Sequence, residues 1–403
     1  MAALVVSGGP PMIVFTYPGQ GSQKPGMGTA WREHPSWELV EEASEAAGRD
    51  VAALLCDTDA EELTRTRNAQ LATFVTSMVA LDAVTRLGAQ AAAHAGHSLG
   101  EYSALTAAGV LDFADAVRLV TERGDAMQAA ADEREGTMAA VLGLDDEQVD
   151  IACHRAGGEV WVANFNAPGQ VVIAGVPDDV DRAAAIARDL GAKRAMRLPV
   201  GGAFHTPLMA PARDRLRKAL DQTEFRAPTN PVVANVDAAF HTDAAEWPDL
   251  LAAQLCSPVR WRQTLTNLDE AGYTVHVEIG PGTVLTGLAK RTIRGARLVS
   301  VSTPADLDGL LDALAHQPSA EGAVVEGEHL FATERLVVSP TAGIFEPTPA
   351  CRPGADIAVG DVLGHVAGEE VRSSFAGRLM GVLALEGERV TPSQPIAWLR
   401  STT

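Results

Sequence analysis

The sequence predicts an α/β fold on a parallel sheet, with a small α/β unit inserted into it and an all-β region behind it. Three observations carry this. Short apolar, β-favouring runs at 12–16, 91–95, 231–235 and 274–280 alternate with longer helical patterns, the order of a parallel sheet with crossover helices. Between 136 and 200 the order changes to β-α-β-β-α-β. From residue 336 onward, short Val- and Ile-rich runs broken by Gly and Pro replace the helices.

The first run, Met12-Ile-Val-Phe-Thr16, lies between Pro11 and Pro18. It leads into the loop Pro18-Gly-Gln-Gly-Ser-Gln23, at the strand end where α/β proteins place their chemistry. Residues 70–87 are apolar nearly all round, which predicts a helix packed inside the protein. Small residues from Ala91 then run into Gly96-His97-Ser98-Leu99-Gly100, and a helix-forming segment, 101–108, follows at once. In that strand–turn–helix setting G-x-S-x-G becomes a nucleophile elbow, so the core is expected to be α/β-hydrolase-like. The glycines make room for the sharp turn, and the serine arrives at a helix N-terminus that favours a developing anion.

Asp112 is placed to cap a helix over 113–131, with Val117, Val120, Gly124 and Met127 on one face. Arg123 sits at the edge of that face, where an arginine either snorkels to solvent or serves a buried site. The inserted unit, 133–200, has strands expected at 137–142, 160–163, 170–174 and 193–200, and helices at 145–156 and 176–190, a ferredoxin-like order. Gly201-Gly-Ala-Phe-His205 marks the return to the core. Beyond 274–280, a Gly-Pro-Gly turn enters a helix ending in Lys290, Arg291, Arg294 and Arg297, and a last helix covers 303–314. The first domain is therefore 10–318, followed by a linker at 319–333 and an all-β domain at 334–403. That domain repeats itself: Ser339-Pro-Thr-Ala-Gly343 matches Ser374-Phe-Ala-Gly377, and 357–366 parallels 390–399. Two halves are too few for a solenoid and fit a pair of interlocked half-sheets.

Composition narrows the function. The net charge of −20 argues against a nucleic-acid partner. No run reaches the length of a membrane span, and the segment 1–11 lacks the basic start of a signal peptide. Cys56, Cys153, Cys256 and Cys351 stand far apart, as reduced thiols of a cytoplasmic protein do, and the histidines show no metal-ligand spacing. Neither a metal nor a cofactor is expected.

A serine nucleophile needs a base within reach, and His205, in a Gly- and Pro-flanked loop, is the best-placed histidine. Here the residues closely resemble the malonyl-CoA:acyl carrier protein transacylases and the acyltransferase domains of polyketide synthases. The matching motifs are Tyr17-Pro-Gly-Gln-Gly-Ser-Gln23, Gly96-His-Ser-Leu-Gly-Glu101, Thr121-Glu-Arg-Gly-Asp-Ala-Met127, the stretch 162–175, Gly202-Ala-Phe-His-Thr-Pro-Leu-Met209, Asn235-Val-Asp237 and 278–288, in family order. The resemblance implies a Ser98–His205 dyad whose imidazole is held by backbone carbonyls near 257–260, with Arg260 among the orienting residues. It implies an oxyanion hole from the Leu99 N–H and the Gln20 loop, and a fork-to-fork pair between Arg123 and the free carboxylate of a malonyl group. Phe204 would leave little room for an α-methyl branch. Asn164 and Asn166 would support the acyl or pantetheine end, unless they are buried structural amides, and His97 reads as a local hydrogen-bonding group.

The activity so implied is S-malonyl transfer from malonyl-CoA to the phosphopantetheine thiol of an acyl carrier protein, for fatty acid or polyketide synthesis. A thioester hydrolase, a transferase for another extender such as methylmalonyl, and a non-catalytic carrier-recruiting scaffold are the alternatives. Lys290, Arg291, Arg294 and Arg297, with Arg215 and Arg217, form the expected carrier-docking patch. The tail is similar to biotinyl/lipoyl carrier domains, whose hairpin tip corresponds to Val366-Ala-Gly-Glu-Glu-Val371. No lysine follows Lys290, so amide attachment of either cofactor is impossible there, and the tail is expected to be a docking or structural module.

Overall fold

The computed structural model describes residues 12–315, 334–373, 375–392 and 394–400. The segment 1–11 and the linker expected at 319–333 lie outside the described residues. The chain divides into two compact units, Met1–Pro318 and Ser319–Thr403.

The first unit is mixed α/β around a largely parallel sheet. Strand β1 (Met12–Tyr17) pairs in parallel with β2 (Ala93–Gly96), Val14 opposite Ala93 and Tyr17 opposite Gly96. Strands β3 (Thr137–Leu142), β4 (Val160–Ala167), β5 (Gln170–Gly175) and β6 (Arg194–Arg197) form a separate antiparallel sheet in the order β4-β5-β3-β6. Strands β7 (Val232–Val233), β8 (Phe240–His241), β9 (Tyr273–Ile279) and β10 (Arg297–Val301) complete the main sheet, in the order β10-β9-β1-β2-β7-β8. Only the β7–β8 pair is antiparallel. Helix Thr66–Arg86 explains its all-round apolar pattern: Leu71, Phe74, Val75 and Met78 are at most 3 % exposed. Burying each such side chain contributes roughly 1.5–3 kcal/mol, which holds this helix in the core. Helix Phe113–Glu133 is capped by Asp112, whose carboxylate accepts the Ala114 N–H at 3.1 Å.

Three local expectations change. The run at 231–235 makes only the two-residue β7, because the chain turns at Ala238 (φ 59°) and returns as β8. Arg297 opens β10 rather than ending the basic helix, and its guanidinium donates to the Ala313 carbonyl. Strand β4 runs on to Ala167 because Ala163 and Phe165 exchange backbone hydrogen bonds with Val259, tying the inserted sheet to the core beside the elbow.

The second unit is all-β. Strands β11 (Glu334–Val338), β12 (Gly343–Pro347), β13 (Asp356–Ile357), β14 (Val362–Val366), β15 (Glu369–Arg372), β16 (Gly377–Val382), β17 (Arg389–Val390) and β18 (Pro395–Arg400) make two four-stranded sheets, β11-β18-β16-β13 and β15-β14-β12-β17. Exchanging β11–β14 with β15–β18 turns one order into the other, so the halves interlock. Phe345, Leu363, Val366, Leu379, Ile396 and Leu399 fill the core between them. Ala367 (φ 52°) and Gly368 (φ 84°) form the two-residue turn of the β14–β15 hairpin. Among the described residues no helix is long and apolar enough to cross a membrane.

Candidate active site

The elbow is built as its glycines require. A Cβ on Gly96 would lie 1.8 Å from the Gly100 carbonyl oxygen, and one on Gly100 would lie 2.0 Å from that of Tyr17. Neither backbone neighbour can yield. Ser98 is thereby held at φ 54°, a left-handed conformation that a non-glycine residue adopts only when its surroundings impose it. Helix Gly100–Ala107 starts directly behind it, so the Leu99 N–H has no acceptor within the helix.

Ser98 Oγ lies 2.8 Å from His205 Nε2. His205, itself at φ 61°, sits 2.9 Å through Nδ1 from the Gln254 carbonyl oxygen. A neutral ring donating from Nδ1 leaves the Nε2 lone pair for the serine proton. Burial, reinforced by the positive charge of Arg123, pushes His205 down to about 3, so the imidazole is neutral and ready to act as a base. Arg260 does not orient it: the Arg260 guanidinium lies at the surface near Gln263, and its backbone N–H donates to the Asn235 carbonyl. The chain reaches His205 one helix end earlier than expected, at Gln254, with the Ser257 backbone adding to the contact.

Arg123 is 1 % exposed, so its place at the helix edge faces inward. It donates from Nη1 to Gln70 Oε1 at 2.6 Å, and from Nη2 to Gln254 Oε1 at 2.8 Å and Ser98 Oγ at 3.2 Å. Its carbon centre stands 5.6 Å over the Tyr102 ring, and Nε has no partner among the described residues. A buried guanidinium held only by neutral oxygens, with its Nε donor unspent, is prepared for an anion.

Gln20, Ser98, Asn164, Asn166, Phe204 and His205 line one cleft. The Phe204 ring packs on Gly202, where a Cβ would meet it at 2.5 Å. Asn166 Oδ1 lies 2.8 Å from His97 Nε2, and His97 meets the Trp261 ring edge-on, so His97 supports a wall rather than serving as a second base. Asn164 is 6 % exposed on β4 and bridges to Val259. Of the basic patch, Arg215 pairs with Glu122, Arg217 with Asp221 and Asp249, and Arg297 with a helix end. Lys290, Arg291 and Arg294 stay exposed at the end of helix Val284–Thr292, whose Val284, Leu285 and Leu288 face the cleft.

Sequence reasoning assigned no role to Gln70, Glu101, Tyr102, Asn235 or Gln254. A signal existed for Gln254: Trp247, Leu251 and Gln254 share the buried face of their helix, and a polar residue on an apolar stripe needs a partner. Burial pushes the Glu101 carboxyl up to about 7, against hydrogen bonds from Asn235 and Gln254 that favour its anion.

Residues 14–311 match the acyl transferase domain family. The chain is 43 % identical over 301 residues to a malonyl CoA-acyl carrier protein transacylase of Bacillus subtilis, covering 73 % of this chain and 95 % of that protein. The crystal structure of an acyl carrier protein S-malonyltransferase from Vibrio cholerae matches with a TM-score of 0.71 at 44 % identity, over 74 % of this chain and 99 % of that one. A malonyl-transacylase solved in complex with its type II polyketide acyl-carrier protein matches with a TM-score of 0.72 at 42 % identity, over 75 % and 99 %.

Proposed function

The chain belongs to the malonyl CoA-acyl carrier protein transacylase family, and from that premise we propose that it carries malonyl groups from malonyl-CoA to an acyl carrier protein through an ester on Ser98. One observation carries the reading: the buried Arg123 guanidinium stands 3.2 Å from the oxygen that His205 activates. A thioester whose carboxylate meets Arg123 brings its carbonyl carbon to Ser98 Oγ.

Ser98 gives its proton to His205 Nε2 as Oγ attacks the thioester carbonyl. The tetrahedral oxyanion is met by the Leu99 N–H and the Gln20 loop. Collapse breaks the C–S bond, and the CoA sulfur takes the proton from His205, leaving malonyl-Ser98. The carrier's phosphopantetheine thiol then gives His205 its proton and attacks the ester, and the proton returns to Ser98 as the new thioester departs. Phe204 crowds the site of an α-methyl branch, which makes malonyl the preferred extender. Lys290, Arg291 and Arg294 form the carrier-docking patch.

We read the core as α/β-hydrolase-like, the inserted sheet as ferredoxin-like and the second unit as a biotinyl/lipoyl-like fold. With Ala367 and Gly368 at its tip and no lysine, that fold serves docking or structure rather than acyl or carboxyl carriage.

Intact mass after separate incubation with malonyl-CoA, methylmalonyl-CoA and acetyl-CoA tests the reading. A malonyl adduct absent from Ser98→Ala, and passed on to a holo-carrier rather than lost to water, is the expected result. No adduct from any donor, or release of free malonate alone, overturns it.

A further inference from the structure

Beneath the nucleophile lies a carboxylate that the transfer reaction never touches. Glu101, 1 % exposed in the first turn of helix Gly100–Ala107, accepts on Oε1 from the Asn235 backbone N–H (2.7 Å) and Asn235 Nδ2 (3.3 Å). On Oε2 it accepts from Gln254 Nε2 at 2.5 Å. Both amides then turn to Ser98: Asn235 Oδ1 accepts the Ser98 N–H at 2.7 Å, and Gln254 Nε2 donates to the Ser98 carbonyl at 2.8 Å. Gln254 Oε1 also holds Arg123 Nη2 at 2.8 Å.

We infer that Glu101 is a positioning residue, whose carboxylate is the shared acceptor that holds the Asn235 and Gln254 amides in place and through them the Ser98 backbone and Arg123 in the geometry of malonyl transfer. This rests on the roles given above to Ser98 and Arg123.

The argument is one of donor and acceptor parity. The N–H groups of Ser98 and Asn235 and the Arg123 guanidinium can only donate; the carbonyls of Gly96 and Ser98 can only accept. Asn235 Nδ2 also donates to the Gly96 carbonyl at 2.7 Å, so that side chain has one satisfying orientation. Gln254 has one as well, provided the group at 101 accepts on both oxygens. Glutamine at 101 breaks that condition in a defined way. The Asn235 N–H claims its carbonyl oxygen, so its NH2 meets Gln254 Nε2. Gln254 then has no satisfying orientation: kept as it is, its NH2 faces a second NH2, and inverted it presents NH2 to the Arg123 guanidinium and withdraws the donor from the Ser98 carbonyl. Either buried conflict displaces Gln254, and with it Arg123 from the place where it meets malonyl.

The full chain is compared as wild type and E101Q, by malonyl and acetyl transfer to a holo-carrier across pH and by thermal melts. E101Q is expected to raise KM for malonyl-CoA about tenfold or more and to lower kcat, because Arg123 and Ser98 are both released. Wild-type kcat/KM for malonyl-CoA should fall as pH drops through about 7, where Glu101, its anion favoured by Arg123 and opposed by Asp237, takes up a proton and ceases to accept on both oxygens, and E101Q should lack that limb. A merely structural carboxylate would move the melts and not the profile. Wild-type KM and kcat in E101Q, or the same limb in both proteins, overturns the inference. If E101Q does not fold, a wild-type fall larger for malonyl-CoA than for acetyl-CoA supports the inference, and an equal fall or none overturns it. Absence of a malonyl adduct on the wild type would instead defeat the functional reading.

Discussion

Arg123→Met is the substitution that separates substrate class from nucleophile. Methionine keeps the length and the apolar stem but removes all three polar contacts, to Gln70, Gln254 and Ser98. Two costs follow. The two amide oxygens lose their donor whatever the substrate, which lowers all acyl transfer by about 1 kcal/mol each. The malonyl carboxylate alone loses the charged fork. Hydrogen bonds to a charged group contribute about 1.5–3 kcal/mol apiece, and removing one partner of a buried pair costs roughly 3–5 kcal/mol. At about 1.36 kcal/mol per decade, kcat/KM for malonyl-CoA should fall a further hundredfold to a few thousandfold relative to acetyl-CoA. Rapid-quench mass measurement of Ser98 acylation with the two thioesters reads that ratio directly. A malonyl-to-acetyl ratio unchanged within about threefold would refute the pairing, because only the carboxylate distinguishes the two donors.

Four further outcomes are expected. With Glu101, itself held up to about 7, replaced by glutamine, acylation by malonyl-CoA should stay level as pH drops through 6.5, the range where an ordinary histidine loses its basic form, because His205 is held down to about 3; in Arg123→Met the His205 limb should move to higher pH. Thermal melts should fall from pH 7 toward pH 4.5, since His94 and His276 are pushed down to about 4 by burial while the unfolded chain takes up their protons near 6.5, so stability is present above 6.5 and lost through that window. Phe204→Ala should admit methylmalonyl-CoA, raising its kcat/KM relative to malonyl-CoA by about 10- to 100-fold, the worth of one methyl group, whereas charge reversal at Arg291 and Arg294 should raise KM for the carrier and leave that for malonyl-CoA unchanged.

The sequence revealed the elements whose patterns are local and hid those set by distant partners. The run 12–16 and the elbow were legible because their chemistry lies within a few residues: a β-favouring stretch, two obligatory glycines and a serine. The inserted β-α-β-β-α-β order was legible for the same reason. Strand β10 was not, because Arg297 and Leu298 look like the tail of a basic helix until β9 offers them a parallel partner. Gln254 was missed although it touches Arg123, Glu101, Ser98 and His205, since its backbone oxygen matters as much as its side chain and no residue type announces a carbonyl. Arg260 lies in the stretch from which the resemblance draws this contact, yet the helix ending at Gln254 brings its carbonyl to the ring first.

The amide at 254 also explains why this site orients its histidine with a carbonyl while a carboxylate, Glu101, lies so near. A carboxylate on His205 Nδ1 would raise the imidazole's basicity, but it would also face Arg123 and neutralise the charge proposed to meet malonyl. Gln254 stands between Glu101 and Arg123, so the guanidinium meets a neutral oxygen and an arriving carboxylate need not break an ion pair. The cost falls on His205, whose protonated form is opposed by burial and by Arg123 in the empty site. On the proposed pairing, malonyl brings a negative charge beside Arg123 and cancels that second opposition when the proton must leave Ser98. An acetyl group brings none. Discrimination on this arrangement acts on the chemical step as well as on binding, which is where an enzyme gains most from a substrate's remote charge.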